Sequence, residues 1–196
     1  MENNNYTYQE DTISSNLKEC INWALKKPDK PIKNSENTIK KQIEIEKENE
    51  RIWGNNIIGQ TNNGQWTTLL GENLVYQILK INGENPQKVQ RRGGFEPDWE
   101  TDNFIYEVKT SNWWVSGTAG EKVLGTWIKY QNIQELYGKP LRIVCVANQE
   151  YELEYGKVKY FGENITEKTK QILALAKSWG ITYIRFSDLV SNINYK

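Results

Sequence analysis

Three residues pose the chemical question: Asp98, directly after Pro97, and then Glu107 and Lys109 with Val108 between them in the strand-forming run "IYEVKT". Side chains alternate along a strand, so Glu107 and Lys109 share one face while Phe104, Tyr106 and Val108 take the other. A short "ETDN" turn brings Asp98, on the preceding strand, to the same end of the sheet. Charges withdrawn from water need partners, and an ordinary core has little use for two carboxylates and an ammonium. Metal-assisted phosphodiester hydrolysis does have a use for them. Two hard oxygen ligands hold Mg²⁺, the ion polarises the phosphate and acidifies a water, and the ammonium steadies that water or the developing charge. The plainer alternative makes Asp98 a turn cap and Glu107 with Lys109 a surface ion pair.

The composition narrows the chemistry. The chain contains no histidine, which removes Ser-His-Asp and Cys-His hydrolysis, histidine zinc sites and HNH-type nucleases. A magnesium site of carboxylates needs no imidazole. With 25 Lys plus Arg against 25 Asp plus Glu there is no global positive field, so any nucleic-acid surface must be local. Cys20 and Cys145 are far apart and suggest a reducing compartment, and Cys145, in the apolar run "LRIVCVA", reads as a buried, inert thiol. The polar, acidic start "MENNNYTYQEDTISS" and the lack of any membrane-length apolar run lead us to expect a soluble, cytoplasmic protein. Eight Trp and 11 Tyr allow part of the aromatic content to serve a binding surface or, equally, core and rim packing.

A length of 196 residues suits one domain with a small extension. We expect residues 1–60 to form a helical arm available for a dimer or DNA contact, and residues 61–196 to form the core. The arm reads as one helix over about 12–26, broken by "KPDKP", and a charged second helix over about 36–52 with the stripe Ile39 and Ile43. A turn-rich linker, Gly54 to Trp66, comes after it. The next helix, "TLLGENLVYQILKIN", is expected to be capped by Thr67 or Thr68 and carries Glu72 near the edge of its apolar face. Three short antiparallel strands, "QKVQRR", "DWE" and "NFIYEVKT", come next, then a helix over about 119–137 with Val123, Trp127, Tyr130 and Tyr137 on one stripe, closed by Gly138 and Pro140. The remainder reads as strand "LRIVCVAN", a hairpin-like "EYELEYGKVKYFG", a helix over about 166–179 and strand "ITYIRF". The order predicts an α/β (α+β) fold with a mixed central sheet flanked by helices.

Pro97-Asp98, eight intervening residues and Glu107-Val108-Lys109 resemble the signature of the PD-(D/E)XK nuclease superfamily. The segment "TSNWWVSGTAGEKVLGTWIKY" is similar to the stretch after the catalytic strand in one group of type II restriction endonucleases. The resemblance spans about residues 66–186. It implies a restriction-endonuclease-like fold, Mg²⁺ with Mn²⁺ as a substitute, and Asp98, Glu107, Glu72 and Val108 at the metal. Lys109 takes the catalytic lysine position, with Asp98, Glu107 and Glu72 as its catalytic partners. It further implies a sequence-specific cutter of double-stranded DNA, a homodimer on a palindromic site and a companion methyltransferase. A structure-specific or repair nuclease of the same superfamily, and a catalytically silent DNA-binding protein on the same scaffold, stand as alternatives.

Candidate DNA contacts flank the core of the motif. Gln90, Arg91 and Arg92, before the flexible Gly93-Gly94, suit a phosphate clamp. Ser111, Asn112, Trp113, Trp114, Ser116 and Thr118 leave the catalytic strand with hydroxyl, amide and indole groups suited to base edges, although the tryptophans could equally anchor a loop. Glu121 and Lys122 either open a helix, with a first-turn acid that suits its dipole, or line the metal and phosphate site.

Overall fold

The computed structural model describes residues 13–29, 36–115 and 123–191, with the side chains of residues 36 and 37 excepted. Five strands form one sheet in the order β1-β2-β3-β4-β5, with β1 Gln87–Lys88, β2 Trp99–Glu100, β3 Ile105–Ser111, β4 Leu141–Ala147 and β5 Ile181–Arg185. The first three run antiparallel, and β3, β4 and β5 run parallel. The expected mixed sheet is therefore present, and β3, which carries Glu107 and Lys109, is its central strand.

Helices cover both faces. One layer comprises α1 (Leu17–Leu25), the end of α2 (Glu36–Ile57), α3 (Trp66–Ile81) and α8 (Phe186–Ser191), packed on the even-numbered face of β3 through Tyr106 and Val108. The opposite layer comprises α4 (Thr126–Lys129), α5 (Ile133–Tyr137), α6 (Asn148–Tyr155) and α7 (Glu167–Ser178), over Ile105, Ile143, Cys145 and Tyr183. Strand β4 is apolar on both faces because both are covered. The helices expected as an arm are part of the first layer: Ile13, Cys20, Ala24, Ile57 and Ile58 share one buried cluster with α3 and the sheet. Both cysteines are free and buried, and burial pushes the Cys20 thiol up to about 12.

Four local expectations need correction. Helix α2 runs through Gly54, which is there for close packing and not for a turn: a Cβ would stand 2.0 Å from Trp66 Cε3. Helix α3 begins at Trp66, one residue ahead of the threonines expected to cap it, and its N-cap is Gln65. The long helix expected over 119–137 is interrupted in its described part: helical residues 123–124 end at Gly125, and the short helices α4 and α5 follow, separated at Tyr130 to Asn132. The expected hairpin after β4 is helix α6. Its Tyr151 and Tyr155 stack one turn apart at 4.8 Å and its Leu153 is buried, so the alternation of acids and tyrosines belongs to a helix surface. Gly138 (φ 69°) does close α5, in agreement with the sequence pattern.

The contact that positions α3 is its close approach to β3. A Cβ on Gly71 would lie 1.7 Å from Thr110 Oγ1 and 2.7 Å from its Cβ, so only glycine lets the helix seat there. Gly71→Ala is expected to lower stability by roughly 1–3 kcal/mol, read from urea unfolding. Gly64→Ala, with no described residue within 4 Å of the added methyl, should leave the transition unmoved.

Candidate active site

Pro97 has no N–H, so the β2–β3 ladder cannot continue past Asp98 in the ordinary way. The Asp98 N–H still reaches Tyr106 O at 3.0 Å, and its carboxylate then does what a backbone carbonyl would do: Oδ2 accepts the Val108 N–H at 2.6 Å. The Pro-Asp dipeptide thus folds a carboxylate onto the edge of β3, beside Glu107. Register fixes the other two groups, because Glu107 and Lys109 face the layer that contains Tyr130.

Glu107 is only 4% exposed. The surface ion pair of the plainer reading is therefore not what forms. Its Oε1 accepts from the Lys109 ammonium, and its Oε2 accepts from the Tyr130 hydroxyl at 2.9 Å. Half-buried Asp98 is held well above the usual carboxylate range, first by desolvation and then by the charges of Glu107 and Glu72. The Val108 N–H and Lys109 act in the opposite sense and do not prevail. Burial, and then Glu107, likewise raise the Tyr130 hydroxyl, which stays protonated and acts as a donor.

Glu72 sits on α3 close enough for its charge to act on Asp98, with Lys88 Nζ at 3.3 Å from Oε2. The Glu72 backbone carbonyl accepts the Trp99 indole N–H at 2.9 Å, which ties α3 to β2. Asp98, Glu107, Lys109 and Glu72 are thus brought into one neighbourhood. Among the described residues no group of three or more His, Cys, Asp or Glu is arranged to hold a metal ion. Mg²⁺ does not require one, since it commonly takes one or two carboxylates and fills its octahedron with water and substrate phosphate. The donor set fits such an ion: the charges of Glu107 and Glu72 suppress ionisation of Asp98, and an ammonium already occupies one oxygen of Glu107.

Other expected residues are placed differently. Trp113 anchors its loop to the protein: its indole donates to Trp23 O at 2.8 Å and its backbone N–H to Glu50 Oε1 at 3.1 Å. Trp114 is half-buried, Ser111 is buried with its hydroxyl 3.3 Å from Asn112 O, and Asn112 Oδ1 is buried without a partner among the described residues. Arg92 is held against α5, its guanidinium 3.3 Å from Leu136 O and 4.8 Å from the Tyr137 ring centroid. Gln90 and Arg91 are exposed. Ser116, Thr118, Glu121 and Lys122 lie outside the described residues.

Known families, curated proteins and solved structures give no match to this chain. The site is therefore read from its own residues. Sequence reasoning misses Tyr130, Lys88 and Glu50. Tyr130 reads as one more member of a helical apolar stripe, and its hydroxyl at the break between α4 and α5 leaves no periodic signal. Glu50 reads as part of a solvated helix face, yet it is 8% exposed and its Oε1 also accepts the Trp23 indole N–H at 2.8 Å.

The raised Asp98 pKa carries a sign. An acid whose pKa is higher folded than unfolded binds its proton more tightly in the native state, so stability falls as pH rises above the ordinary carboxylate range. Asp98→Asn, which keeps an acceptor for Val108 N–H, is expected to raise metal-free stability at pH 7 by roughly 0.5–2 kcal/mol. The gain should vanish toward about pH 4 and below, where the unfolded carboxyl is protonated as well. Urea unfolding in EDTA at the two pH values measures it.

Proposed function

We propose that the protein is a Mg²⁺-dependent endonuclease of the PD-(D/E)XK type that cuts double-stranded DNA at a specific sequence, as type II restriction enzymes do. The observation that carries this reading is the buried Glu107, charge-paired to Lys109 beside an Asp98 whose ionisation is suppressed. A buried acid and base of this kind cost stability unless something is gained from them, and perturbed carboxylates are characteristic of working sites. The sheet supports the reading as well, since an antiparallel β1-β2-β3 segment leading into parallel β3-β4-β5 puts the motif on the central strand.

Asp98 and Glu107 would hold the ion, with Val108 contributing through its backbone and Glu72 adding negative charge from α3. Bound there, Mg²⁺ supplies Lewis acidity toward the phosphate and a more acidic water. The chain's own residues do the rest. A cation there would favour the ionised form of Asp98, Tyr130 holds Glu107 in place, and Lys109 would offer its ammonium to the attacking water or to the charge that develops on phosphorus oxygens. Exposed Gln90 and Arg91 would meet backbone phosphate.

The balanced charge of the chain favours a sequence reader over a general, backbone-gripping nuclease. A palindromic target calls for a homodimer, and host DNA for a companion methyltransferase. The cytoplasm is the compartment that fits two free, buried thiols. No helix among the described residues is long and apolar enough to cross a membrane.

Incubation of purified protein with unmethylated plasmid and phage DNA, in Mg²⁺ or EDTA, tests the proposal. Discrete fragments should form in Mg²⁺ alone. Lys109→Ala and Asp98→Ala should each reduce the rate by on the order of 10²–10³-fold. A smear, or cutting of branched DNA only, would instead indicate a repair nuclease, and binding without cleavage would leave a DNA-binding protein on this scaffold.

A further inference from the structure

Glu107 has two partners of different character. Tyr130 lies at the break between α4 and α5 and is only 2% exposed. Its N–H reaches Thr126 O at 3.1 Å, its carbonyl accepts the Ile133 N–H at 3.0 Å, and its ring packs against Phe95 at 5.8 Å between centroids. The backbone on both sides and the ring are therefore fixed. Lys129 Nζ stands 2.9 Å from the Tyr130 hydroxyl. An ammonium can only donate, so the hydroxyl accepts from Lys129 and has its single hydrogen left for Glu107 Oε2. The hydrogen bond to Glu107 is thus directed by a charge behind it. Lys109, by contrast, is a flexible ammonium whose side chain is 31% exposed, and it can withdraw from Oε1 without disturbing the core.

We infer that Tyr130 is a positioning residue for Glu107: it fixes Oε2, so that Oε1, occupied here by the Lys109 ammonium, is the oxygen at which a divalent cation exchanges. The inference rests on the metal-dependent reading above and extends it. The ammonium marks the position of the cation's charge, and cation and lysine compete for one oxygen. Arrival of the cation therefore frees Lys109 to act elsewhere in the site. A carboxylate fixed at one oxygen binds through the other without first losing rotational freedom.

The experiment is calorimetric titration of MgCl₂ into the full chain and its variants at constant ionic strength, followed by cleavage rates as a function of Mg²⁺. Tyr130→Phe should weaken Mg²⁺ binding by about tenfold. Lys109→Met, which removes the competing ammonium, should tighten it. In cleavage, Tyr130→Phe should raise the half-saturating Mg²⁺ concentration by a similar factor while keeping most of the rate at saturation. A merely structural tyrosine would not produce opposite shifts in the two variants. Should Tyr130→Phe fail to fold, Lys129→Met, an exposed position that leaves the buried ring in place, should weaken Mg²⁺ in the same direction by a smaller factor.

Unchanged Mg²⁺ affinity in Tyr130→Phe, or weaker binding in Lys109→Met, would overturn the inference. Wild-type protein that binds no Mg²⁺ would overturn both the inference and the nuclease reading. Wild-type protein that binds Mg²⁺ but cuts no DNA would overturn the nuclease reading alone, and the opposite shifts would still support the role of Tyr130.

Discussion

The structure turns on one carboxylate kept in a place that disfavours it. Glu107 lies on the central strand of the sheet, under a layer of helices, with each oxygen assigned to a different neighbour. Desolvating a carboxylate costs on the order of several kcal/mol even after relaxation, and is tolerated only where hydrogen bonds and an opposite charge compensate. Lys109 from the same strand and Tyr130 from the opposite layer provide that compensation. Much of the surrounding architecture can be understood as holding these three groups at fixed separation.

The two sides of the sheet contribute differently. On one side α3 comes unusually near β3 because Gly71 has no side chain to strike Thr110, and this approach is what carries Glu72 close enough to affect Asp98. On the other side the break between α4 and α5 turns Tyr130 inward, where a continuous helix would have spread its stripe along the surface. At the sheet's antiparallel edge Pro97 stops the ladder, and Asp98 completes it with a side chain. Each irregularity, a glycine in a helix, a broken helix, a proline at a strand entry, sits beside the charged cluster. Local departures from regular structure concentrated at one spot are the usual mark of a site under functional demand.

Legibility of the sequence divides along the same line. The strand period of two in "IYEVKT", the Pro-Asp step and the doubly apolar "LRIVCVA" make the central strands and the same-face pair readable, because these features are local and periodic. The features that cannot be read depend on tertiary contact. Gly54 looks like a linker residue because its packing partner, Trp66, is distant in sequence, and "EYELEY" alternates as a strand would while its glutamates and leucine fit a helix equally well. Glu50 has the pattern of a surface residue and Trp113 is open to reading as a DNA contact, but their mutual hydrogen bond places both against the core. Tyr130 signals only a place on an apolar stripe, since nothing in its neighbours announces that its hydroxyl meets a carboxylate 23 residues earlier.

On the reading proposed above, Glu107 is buried because it serves a cation. Thermal unfolding of the wild type and of Glu107→Gln, with added MgCl₂ compared against NaCl at matched ionic strength, tests this most directly. Mg²⁺ should raise the wild-type Tm well beyond the NaCl control and leave Glu107→Gln at its control value. Equal Mg²⁺ responses in the two proteins, or no Mg²⁺-specific response in the wild type, would contradict it.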